Sequence, residues 1–495
     1  MEQTMSIIGQ ISSIEWKFIP FLLVGAGLLF CVLTIVVQLR YIPEMFKAIV
    51  EKPDKLDDGR DNISAFKAFT ISAASRVGTG NVAGVATAIA TGGPGAVFWM
   101  WMLAIIGGAT SFVESTLAQV YKVRDKDSFI GGPAYYITRG LGKNFRWLAV
   151  LFAISITCTY GFVFNAVQSN SIADAMSNSF GGTNPTTVKI IVGAVLAVLT
   201  AAVIFGGVQR IGAVTQIIVP VMAVAYVVLG IIVCIINVGR IPGMIETIVS
   251  HAFGIRQFGG AALGTVIMTG MQRGLFSNEA GMGSVPNAAA TASVSHPVKQ
   301  GLIQTLGVYF DTIVVCSVTA FIVLLANPDL GPSDQGVTLT QDSLAASVGS
   351  WAVHFLTILI LFLAFSSVIG NYYYGESNIE FMTSSKAVMT GFRILVVACV
   401  FLGTLGTVNL VWSLADVFSG VMVLINIAAI VPLSGVAVAL LNHYTKQKAA
   451  GLNPIFHKAD LPNLRGWKNI ECWDGTETIT ERPEQYGLIS YRRVQ

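Results

Sequence analysis

The chain has 495 residues, of which 54% are hydrophobic and only 12% charged, about half the roughly 25% charged share of soluble domains. So few charges cannot cover a water-facing surface, which excludes a cytosolic enzyme and a disordered protein. A dispersed net charge of +3 is no footprint for nucleic acid. The composition is that of an all-α polytopic membrane protein. Cys31, Cys158, Cys234, Cys316, Cys399 and Cys472 are far apart in sequence, so neither a disulfide framework nor a zinc site is expected.

A helix that crosses a bilayer needs about 20 mostly apolar residues. The first such run is Phe18–Leu39, too long for a signal peptide and without its cleavage pattern. Val77–Val113 is long enough for two helices divided at Gly92-Gly93-Pro94-Gly95. Further spans are predicted at about 147–173, 190–209 and 213–237. The stretch from about 260 to 287 is apolar but carries Arg273 and Glu279. Spans at about 300–326, 351–382, 392–410 and 416–441 complete eleven transmembrane helices, one leader helix and ten more. Gly131–Ile137 is too short to cross and reads as a reentrant or amphipathic piece on the cytoplasmic face. The four units expected are 1–46 (extra helix), 68–260 (first five-helix repeat), 261–441 (second repeat) and 442–495 (a small cytoplasmic tail, partly ordered around Trp467 and Trp473).

Loop charges orient the chain, because cytoplasmic loops collect Lys and Arg. Lys47, Lys52, Lys55, Arg60 and Lys67 follow the leader. Lys122, Arg124, Lys126, Arg139, Lys143 and Arg146 fill the next loop on that side. The loop at 327–350 holds Asp329, Asp334 and Asp342 without Lys or Arg. With eleven spans, the N-terminus falls outside and the tail in the cytoplasm.

Two segments break the apolar pattern. Arg76–Gly84 and Arg273–Gly281 both read Arg-x4-Asn-x-Ala-Gly, five helices apart. Halves of five helices have opposite topology, so the pattern predicts an inverted repeat whose first and sixth core helices are broken. Interrupted helices at matching positions are the sequence mark of a transporter binding site, because a break frees N–H donors on one half-helix and carbonyl acceptors on the other. At the first break, the backbone and side chains of Thr79, Gly80 and Asn81 are candidates to hold a carboxylate. In the third core helix Phe164 and Gln168 share a face beside Asn165, and a buried amide needs a partner. Charges inside spans also need partners; Arg76, Glu114, Arg273 and Glu279 are read as a gating or structural ion-pair network.

Gly78-Thr79-Gly80-Asn81, Gly92–Gly95 with Phe98–Trp101, Gly131–Ile137, Asn371–Glu376 and above all Arg273–Gly281 resemble the alanine or glycine:cation symporter family over essentially the whole chain. That resemblance implies a LeuT-like fold, five plus five helices with one extra, and sodium-coupled import of alanine, glycine or a related small neutral amino acid by a monomer. It implies that Met268, Thr269, Gly270 and Gly274 flank the second break and meet the substrate ammonium. It implies a sodium ion (Na+) between the first and eighth core helices, held by the Ala74 and Val77 carbonyls and the Ser366 and Ser367 hydroxyls. A proton-coupled or glutamine-type transporter is the alternative within the fold. An intramembrane enzyme lacks its motifs, since no His-Glu-x-x-His, paired aspartates or Gly-x-Ser-x-Gly occur, and a channel would need a continuous pore lining.

Overall fold

The computed structural model describes residues 2–53, 62–125, 128–181, 184–254, 263–328 and 336–475. The loop charges Lys55, Arg60, Lys126, Asp329 and Asp334 lie outside them. Helices α1 (Glu2–Glu15) and α2 (Ile19–Leu33) form the leader. Its apolar rod runs over Ile7–Leu33, starting and stopping earlier than the Phe18–Leu39 run, because Ile35 and Val36 take left-handed backbone and end it.

The core begins with α3 (Ala65–Arg76), a break, a wide π-type turn over Gly80–Gly84, and α4 (Val85–Gly92). Gly93, at φ +75°, turns the chain into α5 (Gly95–Val120), as the Gly-Gly-Pro-Gly sequence predicts. A hairpin of β1 (Val123–Asp125) and β2 (Ser128–Ile130) follows. Helices α6 (Arg146–Cys158) and α7 (Phe164–Phe180) form one rod through a π-type turn. Next come α8 (Pro185–Ile204), α9 (Gly207–Ile236) and the short α10 (Ile241–Ala252).

The second broken element is α11 (Leu263–Asn278) with α12 (Val285–Ala290). After it, α13 (Pro297–Val308) and α14 (Ser317–Ala326) join through π-type backbone over Tyr309–Cys316. The rest is α15 (Gly336–Val348), α16 (Trp351–Met382), α17 (Lys386–Gly403) and α18 (Val408–Ala449). Among the described residues nine helices are long and apolar enough to cross a membrane. The α3/α4 and α11/α12 elements are not among the nine, because their breaks leave no continuous apolar rod.

The broken elements, α5, α7, α13 and α16 are buried, whereas α8, α9 and α17 expose Ile, Val and Leu on one face, as lipid-facing helices do. Tail residues after α18 strap one end of the bundle. Trp473 Nε1 donates to the Gln119 carbonyl (3.0 Å), Phe456 N to Ser295 O (3.0 Å), and Arg139 to Glu471 (2.8 Å).

Small residues let these helices approach without a hydrophobic drive between them. A Cβ on Gly301 of α13 would lie 2.2 Å from Thr116 Oγ1 and 2.9 Å from the Phe112 carbonyl of α5. Gly301→Val is therefore expected to cost about 1–3 kcal/mol by overpacking, seen as a lowered unfolding temperature of the purified protein. An unchanged temperature would refute this contact.

Candidate functional site

The first break spans Val77–Thr79, between α3 and the π-type turn. Its freed N–H groups are capped by side chains from elsewhere: Asn81 Oδ1 accepts from Gly78 N (2.9 Å), and Gln168 Oε1 of α7 accepts from Thr79 N (3.0 Å). Only glycine fits at 78, since a Cβ there would sit 2.1 Å from Ser367 Oγ. That brings α16 directly against the break.

The second break spans Glu279–Ser284. Glu279 (φ +60°), Gly281 (+92°) and Gly283 (+79°) are left-handed. Glycine accepts this freely; Glu279 is strained there, and strained residues persist only where neighbours over-determine them. Here Ser284 Oγ donates to Glu279 Oε2 (2.7 Å) and Ser75 Oγ lies 2.8 Å from Oε1. Glu114 Oε1 accepts from Gly281 N (3.2 Å), and Asn426 Nδ2 bridges Glu114 Oε2 (2.8 Å) and Gly281 O (2.9 Å). Tyr136, from the Gly131–Ile137 segment, donates to Asn426 Oδ1, so that segment reaches inward to buttress the break.

The two breaks face each other. Ser75 meets Glu279, and Asn81 Nδ2 donates to Ser277 Oγ (3.0 Å). Phe164 lies against Phe276 (centroids 4.6 Å apart), and Phe276 against Trp412 of α18 (4.6 Å). Around the breaks, these buried polar atoms have no partner among the described residues: Arg76 Nη2, Thr79 Oγ1, Asn165 Oδ1, Asn278 Nδ2 and Asn371 Nδ2. Unsatisfied buried polar groups are rare and mark function or a missing partner. The arrangement brings two helix breaks, three aromatic rings and unpartnered polar atoms together in the buried core.

Several sequence expectations meet this geometry differently. Thr79, Gly80, Phe164, Asn165 and Gln168 gather at the first break. The Asn81 amide is already bonded at both ends, so it builds the break rather than presenting a free donor. Met268, Thr269, Gly270 and Gly274 do not flank the second break. They lie within α11, where Thr269 meets Gly92 and glycines 270 and 274 meet Ala96, Trp99 and Met100 of α5. The Arg-x4-Asn pattern does not align the breaks either: the first falls between its Arg and Asn, the second after its Asn.

The expected charge network also divides. Arg273 pairs with Asp416 of α18 (2.5 Å) and stacks over Trp412 (4.7 Å), not with Glu279. Glu279 lies past the end of α11 in left-handed backbone and is held there by Ser75 and Ser284. Glu114 and Glu279 cap the break instead. Arg76 Nη1 donates to Gln304 O (3.2 Å) and makes no ion pair among the described residues. Ser366 and Ser367 both donate to the Leu363 carbonyl (2.7 and 3.1 Å); this spends their protons and leaves oxygen lone pairs free. The Ala74 side chain packs with Val219 of α9. Sequence reasoning missed Ser75, Asp311, Asp416 and Asn426. The intramembrane charge of Asp311 and Asp416 was the signal that could have found two of them.

Comparison with known proteins follows this geometry. A profile of the sodium:alanine symporter family matches residues 1–458. The amino-acid carrier protein AlsT of Bacillus subtilis (strain 168) is 52% identical, over 95% of this chain and 97% of its own. The probable sodium/glutamine symporter GlnT of the same organism is 48% identical, over 97% and 98%. The crystal structure of MhsT in complex with L-phenylalanine has a TM-score of 0.54, covering 77% of this chain and 99% of that one at 13% identity, a likeness of fold.

The Arg273–Asp416 pair ties α11 to α18 beside Phe276 and Trp412. Removing one partner of a buried pair costs about 3–5 kcal/mol. Asp416→Asn is expected to lower the unfolding temperature, and the swap Arg273→Asp with Asp416→Arg to recover part of it. Independent, additive effects of the two substitutions would show that the pair does not hold these helices together.

Proposed function

The chain belongs to the sodium:alanine symporter family, and from that premise we propose that it imports alanine or glycine with sodium by alternating access. Membership makes it a sodium-coupled amino-acid transporter and a multi-pass membrane protein rather than an enzyme. The observation that carries the substrate reading is the cluster of unpartnered polar atoms where the two breaks meet. A zwitterion needs donors for its carboxylate and acceptors for its ammonium, and a broken helix supplies both. Gln168, Thr79 and the backbone at 78–80 form the polar side; Phe164, Phe276 and Trp412 limit side-chain size.

In this reading the chain crosses the membrane eleven times, nine continuous helices and two interrupted ones, as a leader plus two inverted five-helix repeats. The N-terminus lies outside and the tail in the cytoplasm of a prokaryotic cell. The Arg273–Asp416 pair, above Phe276, is the outer gate. The 48% identity to a probable glutamine symporter supports a second reading, with a larger amide substrate in the same chamber.

Uptake of labelled alanine into proteoliposomes, with unlabelled glycine, glutamine and leucine as competitors, separates these readings. Alanine and glycine are expected to compete and leucine to fail. Competition by leucine equal to that by alanine would refute the small chamber, and preferential competition by glutamine would establish the second reading.

The sodium ion is assigned to the Ala74 and Val77 carbonyls with the Ser366 and Ser367 oxygens. Hard neutral oxygens suit a weakly held monovalent ion. Ser367 touches the first break, so ion and substrate share one unwound segment and must be reciprocally linked. Replacing both serines with alanine is expected to raise the sodium concentration for half-maximal alanine binding by about tenfold, one ligand interaction's worth. Alanine affinity at saturating sodium should change less. Identical sodium titrations in wild type and double variant would remove the ion from this position.

A further inference from the structure

The tail after α18 ties together helix ends that lie far apart in sequence. Ile455 N donates to Gln447 Oε1 of α18 (3.0 Å), and Phe456 N to Ser295 O just before α13. The Arg465 carbonyl accepts from Tyr121, at the end of α5. Trp473 donates to Gln119 O, and Lys122 Nζ lies over its ring (4.7 Å). Gln119 and Lys122 in turn hold the exit of α12: Gln119 Nε2 (3.1 Å) and Lys122 Nζ (2.9 Å) both donate to Ala292 O. In the alternating-access reading, α12 is the half of the second broken element that moves to open the inner side. The tail therefore grips, through the end of α5, a piece that transport has to move.

Under the tail lies a pair of histidines. His296 caps α13: its Nδ1 accepts from Val298 N (3.2 Å), so its proton sits on Nε2, 3.2 Å from His443 Nδ1. The proton of His443 then sits on Nε2, which faces Asp460 of the tail (3.6 Å). Phe456 packs against both rings (centroids 5.7 and 5.9 Å), and Tyr444 stands edge-on to His296 (5.2 Å). This relay has no place for an extra proton. One on His443 Nδ1 would meet the His296 Nε2–H, and one on His296 Nδ1 would meet the Val298 N–H. Burial, then the neighbouring His443 and Lys299, hold His296 well below the usual histidine range. Among the charged groups around the pair, Asp460 attracts a proton, while Lys299, Lys446 and His457 repel it. Glu51 is bound to Lys299 (2.5 Å) and Glu44 to Lys448 (2.9 Å).

We propose that residues 453–474 form a latch that holds α12 closed and that acid releases, with His296 and His443 as its proton sensor. That the acid is cytoplasmic rests on the topology proposed above. With the tail lifted, Phe456 and Asp460 leave and the histidines meet water, where each titrates near about 6.5. The undocked tail then takes up protons that the docked one refuses. Docking is complete above that pH and weakens as the pH falls below it.

Cys472, buried in the docked tail, reports the latch with neither substrate nor sodium. Its alkylation by a maleimide is followed by mass spectrometry in the purified full-length protein. Each rate is divided by that of the chain unfolded in sodium dodecyl sulfate at the same pH. From pH 7.5 to 5.5, protection is expected to fall about tenfold for each histidine that gains a proton, about a hundredfold in wild type. His296→Asn, which can still accept from Val298 N, should fall about tenfold. Adding His443→Gln should make protection equal at both pH values; if that double variant does not fold, His296→Asn decides. Phe456→Ala should lose protection at both. An Ala289→Cys reporter on α12, at a position buried in the closed form, should become reactive together with Cys472. Constant protection of wild-type Cys472, or the same fall in His296→Asn, overturns the proton sensor. A reporter on α12 that stays protected when Cys472 is exposed overturns the latch. Both readouts are blind to the transported molecule, so failure of alanine uptake would strike the substrate reading alone.

Discussion

Inside a bilayer every backbone polar group must be satisfied by the protein itself. A helix can be broken there only if other elements supply the missing hydrogen bonds, and the structure is organised around doing so twice. Gln168 reaches from α7 and Asn81 folds back to cap the first break. Glu114 from α5, Asn426 from α18 and Ser75 from α3 hold the second. Most of these partners come from a helix other than the one they hold, so the same bonds that satisfy the breaks tie α3, α5, α7, α11 and α18 together.

This explains why intramembrane carboxylates outnumber guanidinium partners. Glu114 accepts from the Gly281 N–H and Glu279 from the Ser75 and Ser284 hydroxyls rather than pairing with arginine. Arg273 is freed to pair with Asp416 across α11 and α18 and to cover Trp412. The aromatic series Phe164, Phe276 and Trp412 packs beside that pair. The strap of tail residues closes the opposite end, where Trp473 and Glu471 bind α5 and Arg139.

Much of the layout was legible beforehand. Apolar runs located nearly every spanning helix, because burial in lipid demands long uninterrupted stretches. The span at 351–382 coincides with α16, and Gly92–Gly95 is the predicted turn. The leader was misplaced because its end depends on backbone at Ile35 and Val36 that composition does not encode. The second break was misplaced toward residues 268–274, because glycine serves equally to unwind a helix and to let two helices touch, and spacing cannot separate these uses.

The sequence by itself determined a membrane-embedded helical bundle with two polar interruptions, since period, length and the absence of charge are local properties. It also brought Gln168 and Phe164 to one helical face. Which side chain answers which break was decided only by tertiary packing. Asp416 lies 143 residues from Arg273 and Asn81 lies 230 from Asp311, and no local rule connects them. A buried polar group needs some partner, and sequence states that need; only the folded bundle, by bringing distant helices within hydrogen-bond reach, chooses the partner.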